Sequence, residues 1–304
     1  MGRRFLLSID GGGIRGILPV YALMKLEEET GRPARETFSF VAGTSTGAIL
    51  AAAIVAGIPA WRLLELYRTR GREIFSPRAP WNTIRRVLRG SMYSTWRLHR
   101  ILREEFGEDA DLQLDKCPID VLMTAKCVDG KPWYFVKGKP ANSGRTGCCF
   151  LADCATASAA APTYFEPWRM WNLPGVARMV DGGVGVTGNP VYQACVEAFC
   201  YTGEYTPEET TVVSLGTGRF PHGAEEPRTL WGWLEWVLAE LLRAPEEQQT
   251  EAARRLFPQA RFFRFDADIP HAIDMDDVEA VEELCERGRA FAGSIDWGTV
   301  LKTT

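Results

Sequence analysis

Histidine is scarce in this chain of 304 residues, which holds only His99, His222 and His271. Their scatter argues against a histidine-based metal centre. None of the eight cysteines forms a Cys-x-x-Cys pair; Cys117 and Cys127 lie ten apart, and Cys148 and Cys149 are adjacent. That is neither a zinc nor a redox spacing, so the expectation is reduced thiols in a core. Lysine is sparse too, seven of 35 basic residues, the rest being arginine. There is no excess of positive charge: 39 acidic residues leave a net charge of −4, which argues against a nucleic-acid binder. Long apolar runs are lacking. The longest, residues 48–56, is far short of the roughly 18 residues of a membrane span. No Asn-x-Ser/Thr sequon occurs, and the N-terminus shows neither a signal-peptide pattern nor the serine or threonine of a myristoylation site. These absences together predict a cytoplasmic protein without an anchor.

What remains is an ordinary globular composition, 46% hydrophobic and 24% charged. It excludes wholesale disorder, collagen and a small disulfide scaffold. About 300 residues bury roughly 75% of the unfolded surface, enough for a core without disulfides or metal. Short apolar runs at Phe5–Ile9, Phe38–Ala42, Val121–Cys127, Trp133–Val136, Ala177–Val180 and Thr211–Leu215 end in glycine or turn residues and read as strands. Between them, Gly16–Glu29, Ala48–Ala56, a segment starting at Leu63, and the alanine-rich Ala152–Ala161 read as helices. Strands alternating with helices predict an α/β three-layer sandwich: a mostly parallel central sheet with helices on both faces. Pro221–Pro227 is the candidate linker to a helical C-terminal part, about 224–304.

Three motifs could carry chemistry. Asp10-Gly11-Gly12-Gly13-Ile14-Arg15-Gly16 fits G-x-G-x-x-G between strand and helix, where backbone N–H groups can approach an anion. It suits an oxyanion hole, a nucleotide site or a plain turn. The nucleotide reading wants an acidic residue about 20 positions on, ending a second strand, and none stands there. Gly43-Thr44-Ser45-Thr46-Gly47 is a G-x-S-x-G between strand and helix, the setting of a nucleophile elbow; the alternative is a serine N-cap. Asp181-Gly182-Gly183 follows an apolar run. At the carboxyl end of a parallel strand Asp181 would face the same crevice as Ser45; otherwise it is a turn aspartate.

In this order and spacing the three motifs resemble the patatin-like phospholipase family, the patatin-like lipid acyl hydrolases. Ala157-Ser158-Ala159-Ala160-Ala161-Pro162-Thr163-Tyr164-Phe165 and Ser214-Leu215-Gly216-Thr217-Gly218 look like that family too. The resemblance covers about residues 5–220 and implies one patatin-like domain over 1–304. It implies a Ser–Asp dyad, with Ser45 as nucleophile and Asp181 as general base. Gly11, Gly12, Gly13 and Arg15 match the oxyanion region, supported by Gly16, Gly43, Gly47, Gly182 and Gly183. No metal or organic cofactor is implied. His222 and His271 follow Asp181 in the Ser…Asp…His order of a triad and stand as the alternative.

The expected activity is hydrolysis of fatty-acyl esters of lipids by a serine phospholipase A, through an acyl-enzyme. A soluble-ester carboxylesterase or thioesterase is the runner-up, and a non-catalytic nucleotide- or lipid-binding protein the reading from another class. Arg78, Arg85, Arg86, Arg89, Arg97, Arg100 and Arg103, with Trp81, Tyr93 and Trp96 among them, suit either peripheral docking on anionic lipid or a solvated helix face. Leu230–Leu242, with Trp231, Trp233 and Trp236, suits either a lid or a buried helix.

Overall fold

The computed structural model describes residues 3–76, 90–138, 145–220 other than 174, 177 and 186, the single residues 228 and 233, and 247–302. The candidate linker, the tryptophan-rich stretch apart from Trp233, His222, and the segment with Trp81, Arg78, Arg85, Arg86 and Arg89 lie outside the described residues.

The glycine-bounded apolar runs become strands, and those at Phe40–Gly43 and Thr210–Leu215 are buried on both faces. The central sheet has the order β5-β4-β2-β1-β8-β9. Its strands are β1 (Arg4–Ile9), β2 (Phe40–Gly43), β4 (Asp120–Cys127), β5 (Pro132–Val136), β8 (Thr210–Leu215) and β9 (Arg261–Phe265). β1 lies parallel to β2 and β8, β2 to β4, and β8 to β9; β5 returns antiparallel to β4. A separate parallel pair joins β3 (Ser91–Tyr93) to β6 (Thr163–Phe165).

Successive strand side chains point to opposite faces, and the core divides accordingly. Leu7, Val41, Val121, Met123 and Val213 belong to the larger cluster. It is covered by α1 (Ile17–Thr30), α3 (Thr46–Val55), α4 (Ala60–Ile74), α5 (Thr95–Phe106) and α6 (Leu151–Ser158), with the short α2 (Ala34–Thr37) after α1. Leu6, Phe40, Ala42, Leu122 and Val212 face the other way, under α7 (Val191–Val196) and the helical residues 247–256. This is the expected three-layer arrangement. Helix α3, TGAILAAAIV, is apolar all round and almost wholly buried, as a helix without a polar face must be.

The C-terminal part is woven into the same layers and contains a strand besides its helices. β9 extends the sheet, and α8 (Val281–Ser294) packs on α1, where a Cβ on Gly288 would meet the Tyr21 ring. Trp297, in α9 (Trp297–Val300), is fully buried beside the Phe38 and Phe265 rings and donates its indole N–H to Ala22 O at 3.1 Å.

One strand runs against expectation. β7 (Met179–Asp181) is antiparallel to β4, with Ala125 opposite Asp181. β2 ends at Gly43, opposite Met123, which leaves the β4 edge from Ala125 onward unpaired. After β6 the chain doubles back through an antiparallel bridge between Trp168 and Met179, so it reaches that edge travelling the opposite way. A parallel approach would need a crossover of a dozen or more residues.

Candidate active site

Ile9 pairs with both Gly43 and Leu215, so β1, β2 and β8 end level. The three glycine turns that follow therefore meet at one edge. β7 fills the β4 edge just beyond β2, which sets Asp181 against the turn that follows Gly43.

That turn carries Ser45 at φ 55° and ψ −122°, one of two non-glycine residues with positive φ among those described. The flanking glycines follow from crowding: a Cβ on Gly43 would strike the Gly47 backbone, and one on Gly47 the Ile9 carbonyl. Thr44 anchors the turn from below, its hydroxyl bonded to Thr124 Oγ1 at 2.7 Å and to Thr187 O at 2.5 Å. The Ser45 N–H donates to Ser158 Oγ at 2.9 Å. Ser45 precedes the first turn of α3, and the Thr46 N–H is free of backbone partners among the described residues.

Asp181 is 5% exposed. Its N–H donates to Ala160 O at 3.0 Å, and its Oδ1 accepts the Gly183 N–H at 2.7 Å. Burial pushes the Asp181 carboxyl up to about 6, against the opposing pull of the nearby Ser45 side chain and the Gly183 N–H. Gly182 lies against Thr124 with no room for a Cβ.

The glycine loop runs beside Ser45; a Cβ on Gly11 would stand 3.2 Å from Ser45 Cβ. Not all of its N–H groups are available. Gly11 donates to Gly188 O at 2.9 Å, Ile14 to Met275 O at 2.8 Å and Arg15 to Gly12 O at 3.2 Å. Those of Gly12 and Gly13 meet no acceptor among the described residues. The Arg15 side chain ties the loop to the turn after β8, donating to Gly12 O and, at 3.4 Å, to Gly218 O. Gly16 fits under Tyr67 and Thr46, whose hydroxyls are bonded to each other.

Beneath the loop lies a buried charge cluster. Arg264 of β9 donates to Asp10 Oδ2 at 2.6 Å, Asp266 Oδ2 at 2.9 Å and Ser214 Oγ at 2.9 Å. Burial raises the Asp10 carboxyl to about 6 although Arg264 pulls it down.

Ser45 opens onto a cavity enclosing about 670 Å³, counting its mouth. Ile49, Leu66, Ile74, Phe75, Leu102 and Phe165 make its walls apolar, and Gly13 and Met275 line it as well. An apolar recess with Ser45 and Gly13 in its lining suits a long acyl chain with its carbonyl at that polar end.

The other singled-out residues lie elsewhere. His99 faces Asp153 at 3.1 Å and the Trp168 ring, and His271 is exposed beside Glu283. The described arginines of the basic segment are paired: Arg97 with the Glu73 and Ser76 carbonyls, Arg100 with Glu73 and Glu104, Arg103 with both oxygens of Asp111. Sequence reasoning gave no role to Ser158, Thr44, Arg264 or Met275. Ser158 alone carried a signal, as a lone hydroxyl in an alanine run just before Pro162.

A family model described as patatin-like phospholipase matches residues 7–194. The chain is 28% identical to the cGAMP-activated phospholipase of Vibrio cholerae, covering 94% of this chain and 90% of that protein. It is also 28% identical to calcium-independent phospholipase A2-gamma of Rattus norvegicus, covering 94% of this chain and 38% of that one, so it spans little more than a third of the mammalian relative's length. Among solved structures, VipD from Legionella pneumophila aligns with a TM-score of 0.48 at 13% identity, covering 99% of this chain and 67% of that chain.

Proposed function

The chain belongs to the patatin-like phospholipase family, and from that premise we propose that it is a lipid ester hydrolase in which Ser45 and Asp181 act as a dyad on the fatty-acyl esters of phospholipids. The observation that carries this reading is the Ser45 side chain set beside a buried, proton-hungry Asp181 carboxylate, at a strained turn opening on an apolar cavity.

Asp181 takes the Ser45 proton as Oγ attacks the ester carbonyl, then passes it to the departing alcohol. The tetrahedral oxygen is received by the Gly12 and Gly13 N–H groups, the donors the fold leaves unused. Gly11 and Arg15 hold the loop in shape, while Gly16, Gly43, Gly47 and Gly182 allow its close approaches and the Gly183 N–H fixes one carboxylate oxygen. Water then replaces the alcohol and attacks the acyl-enzyme as it gives a proton to Asp181, which returns that proton to Ser45 Oγ as the fatty acid leaves. The apolar walls favour a lipid acyl chain over a small soluble ester, and Met275 against Gly13 leaves little room for a nucleotide phosphate at the loop. Substrate comes from a membrane surface: we assign the protein a peripheral contact with lipid from the cytoplasmic side. Among the described residues no helix is long and apolar enough to cross a bilayer.

Fluorophosphonate labelling combined with fatty-acid release from phosphatidylcholine vesicles tests the reading. The wild type is expected to label and to release fatty acid. Ser45→Ala should abolish both, and Asp181→Ala should lower turnover by about 10²–10⁴-fold, the range for a general base. His271→Ala and His222→Ala should leave both unchanged. Folded wild type that never labels, or labelling that survives Ser45→Ala, overturns it.

A further inference from the structure

The stretch Ala157–Phe165 belongs to the family resemblance, yet nothing in the dyad mechanism uses it. Its place in the fold gives it a task. Ser158 is the last residue of α6 and is completely buried. Its hydroxyl accepts the Ser45 N–H at 2.9 Å. Two residues on, the Ala160 carbonyl accepts the Asp181 N–H at 3.0 Å. One corner of chain thus holds the backbone of both dyad residues, 136 positions apart in sequence.

The two contacts do different things. The Asp181 bond is an ordinary backbone pairing that many residues could supply. The Ser45 bond reaches a residue held at φ 55°, a conformation that non-glycine residues adopt only when their surroundings impose it. Its N–H meets no backbone carbonyl among the described residues and is taken up by the Ser158 side chain instead. Ser158 is absent from the cavity wall, where Ala159 and Ala161 appear instead, so it acts on Ser45 and not on substrate.

Taking the dyad reading as its basis, we propose that Ser158 is a positioning residue for the reaction: its hydroxyl pins the Ser45 backbone so that Oγ lies between Asp181 and the substrate carbonyl. Without that acceptor the turn relaxes and Oγ drifts from the carboxylate. A displacement of about 1 Å in a reacting group can cost 10²-fold.

The test compares Ser158→Ala, Ser158→Cys and Thr156→Ala with wild type. The cysteine keeps the shape but replaces oxygen by a poor acceptor. Thr156 is another buried hydroxyl of α6, bonded within the helix to Ala152 O at 2.7 Å, and serves as the control. Both Ser158 variants should lower kcat and the fluorophosphonate labelling rate by about 10–100-fold while KM stays within about twofold. The acid limb of their pH profiles should move to higher pH, because the Ser45 side chain is one of the two neighbours that hold the Asp181 carboxyl down. Thr156→Ala should lose some stability through its missing bond, but its pH profile should not move. The cysteine variant keeps the test available where alanine fails to fold. Wild-type kcat and pH profile in Ser158→Cys, or the same shift in Thr156→Ala, overturns the assignment. Failure of the dyad itself reads differently: wild type would then not label, or its labelling would survive Ser45→Ala.

Discussion

Asp181 is the residue on which chemistry and stability pull in opposite directions. As the proposed base it must be ionised, so turnover should fall about tenfold per pH unit below a midpoint near 6. An ordinary carboxylate would place that limb about two units lower. The folded state holds this proton more tightly than the unfolded chain. Its ionisation therefore costs stability as pH rises from 3.8 to about 6, and the cost is fully present at pH 7. Asp181→Asn removes the charge and keeps an oxygen for the Gly183 N–H. It should abolish turnover yet stabilise the protein at pH 7 by up to about 3 kcal/mol, a gain that disappears by pH 4. Urea denaturation of both proteins at the two pH values checks this; equal stability at pH 7 would mean the carboxylate is better solvated than its burial implies. The glycines make a second case at this scale. Gly13→Ala forces a Cβ into the Met275 backbone at φ 58°, and Gly12→Ala pushes on Thr217. Each should lower kcat by about 10²–10³-fold, the scale for a lost oxyanion donor, with folding retained as judged by circular dichroism.

Among elements, those whose identity is local were legible. Glycine turns after apolar runs marked β1, β2 and β8, and the alanine-rich run marked α3, because turn chemistry and burial on both faces are written in a few adjacent residues. The direction of β7 was not, because it depends on which edge the end of β2 leaves open and on how the chain doubles back at Trp168. Nor was the role of Arg264, whose carboxylate partner is 254 residues away; a lone arginine in a strand gives no sign that it will be buried. The arginines of α5 show the reverse: conspicuous in sequence, they are spent on surface pairs. Magnitudes separate the two kinds. Arg264→Met strands Asp10 beside Asp266 and should cost about 3–5 kcal/mol. Arg103→Ala opens a half-exposed pair with Asp111 and should cost under about 1 kcal/mol. Equilibrium unfolding in urea distinguishes them, and equal losses would mean that the Asp10 cluster is wetter than its geometry indicates.

For the whole molecule, the family match ends at residue 194, but the sheet and the cavity do not. β9, Met275, the α8–α1 contact and Trp297 all come from beyond residue 260. We therefore propose that residues 1–304 fold as one unit. A chain ending at residue 220 should show no cooperative unfolding transition and no fluorophosphonate labelling, although it contains Ser45, Asp181 and every glycine of the site. A soluble, labelled fragment would instead make the last third an accessory. The Asp10–Arg264 pair also bears on the order in which the protein is made. Asp10 leaves the ribosome well ahead of its counter-ion, which follows only after 254 more residues have been joined. Until then the carboxylate at the root of the glycine loop has no partner, and Met275, which holds Ile14, comes later still. A nascent chain thus exposes Ser45 long before it holds the residues that set the glycine loop, so under the proposed mechanism hydrolysis waits until Arg264 and Met275 have been added.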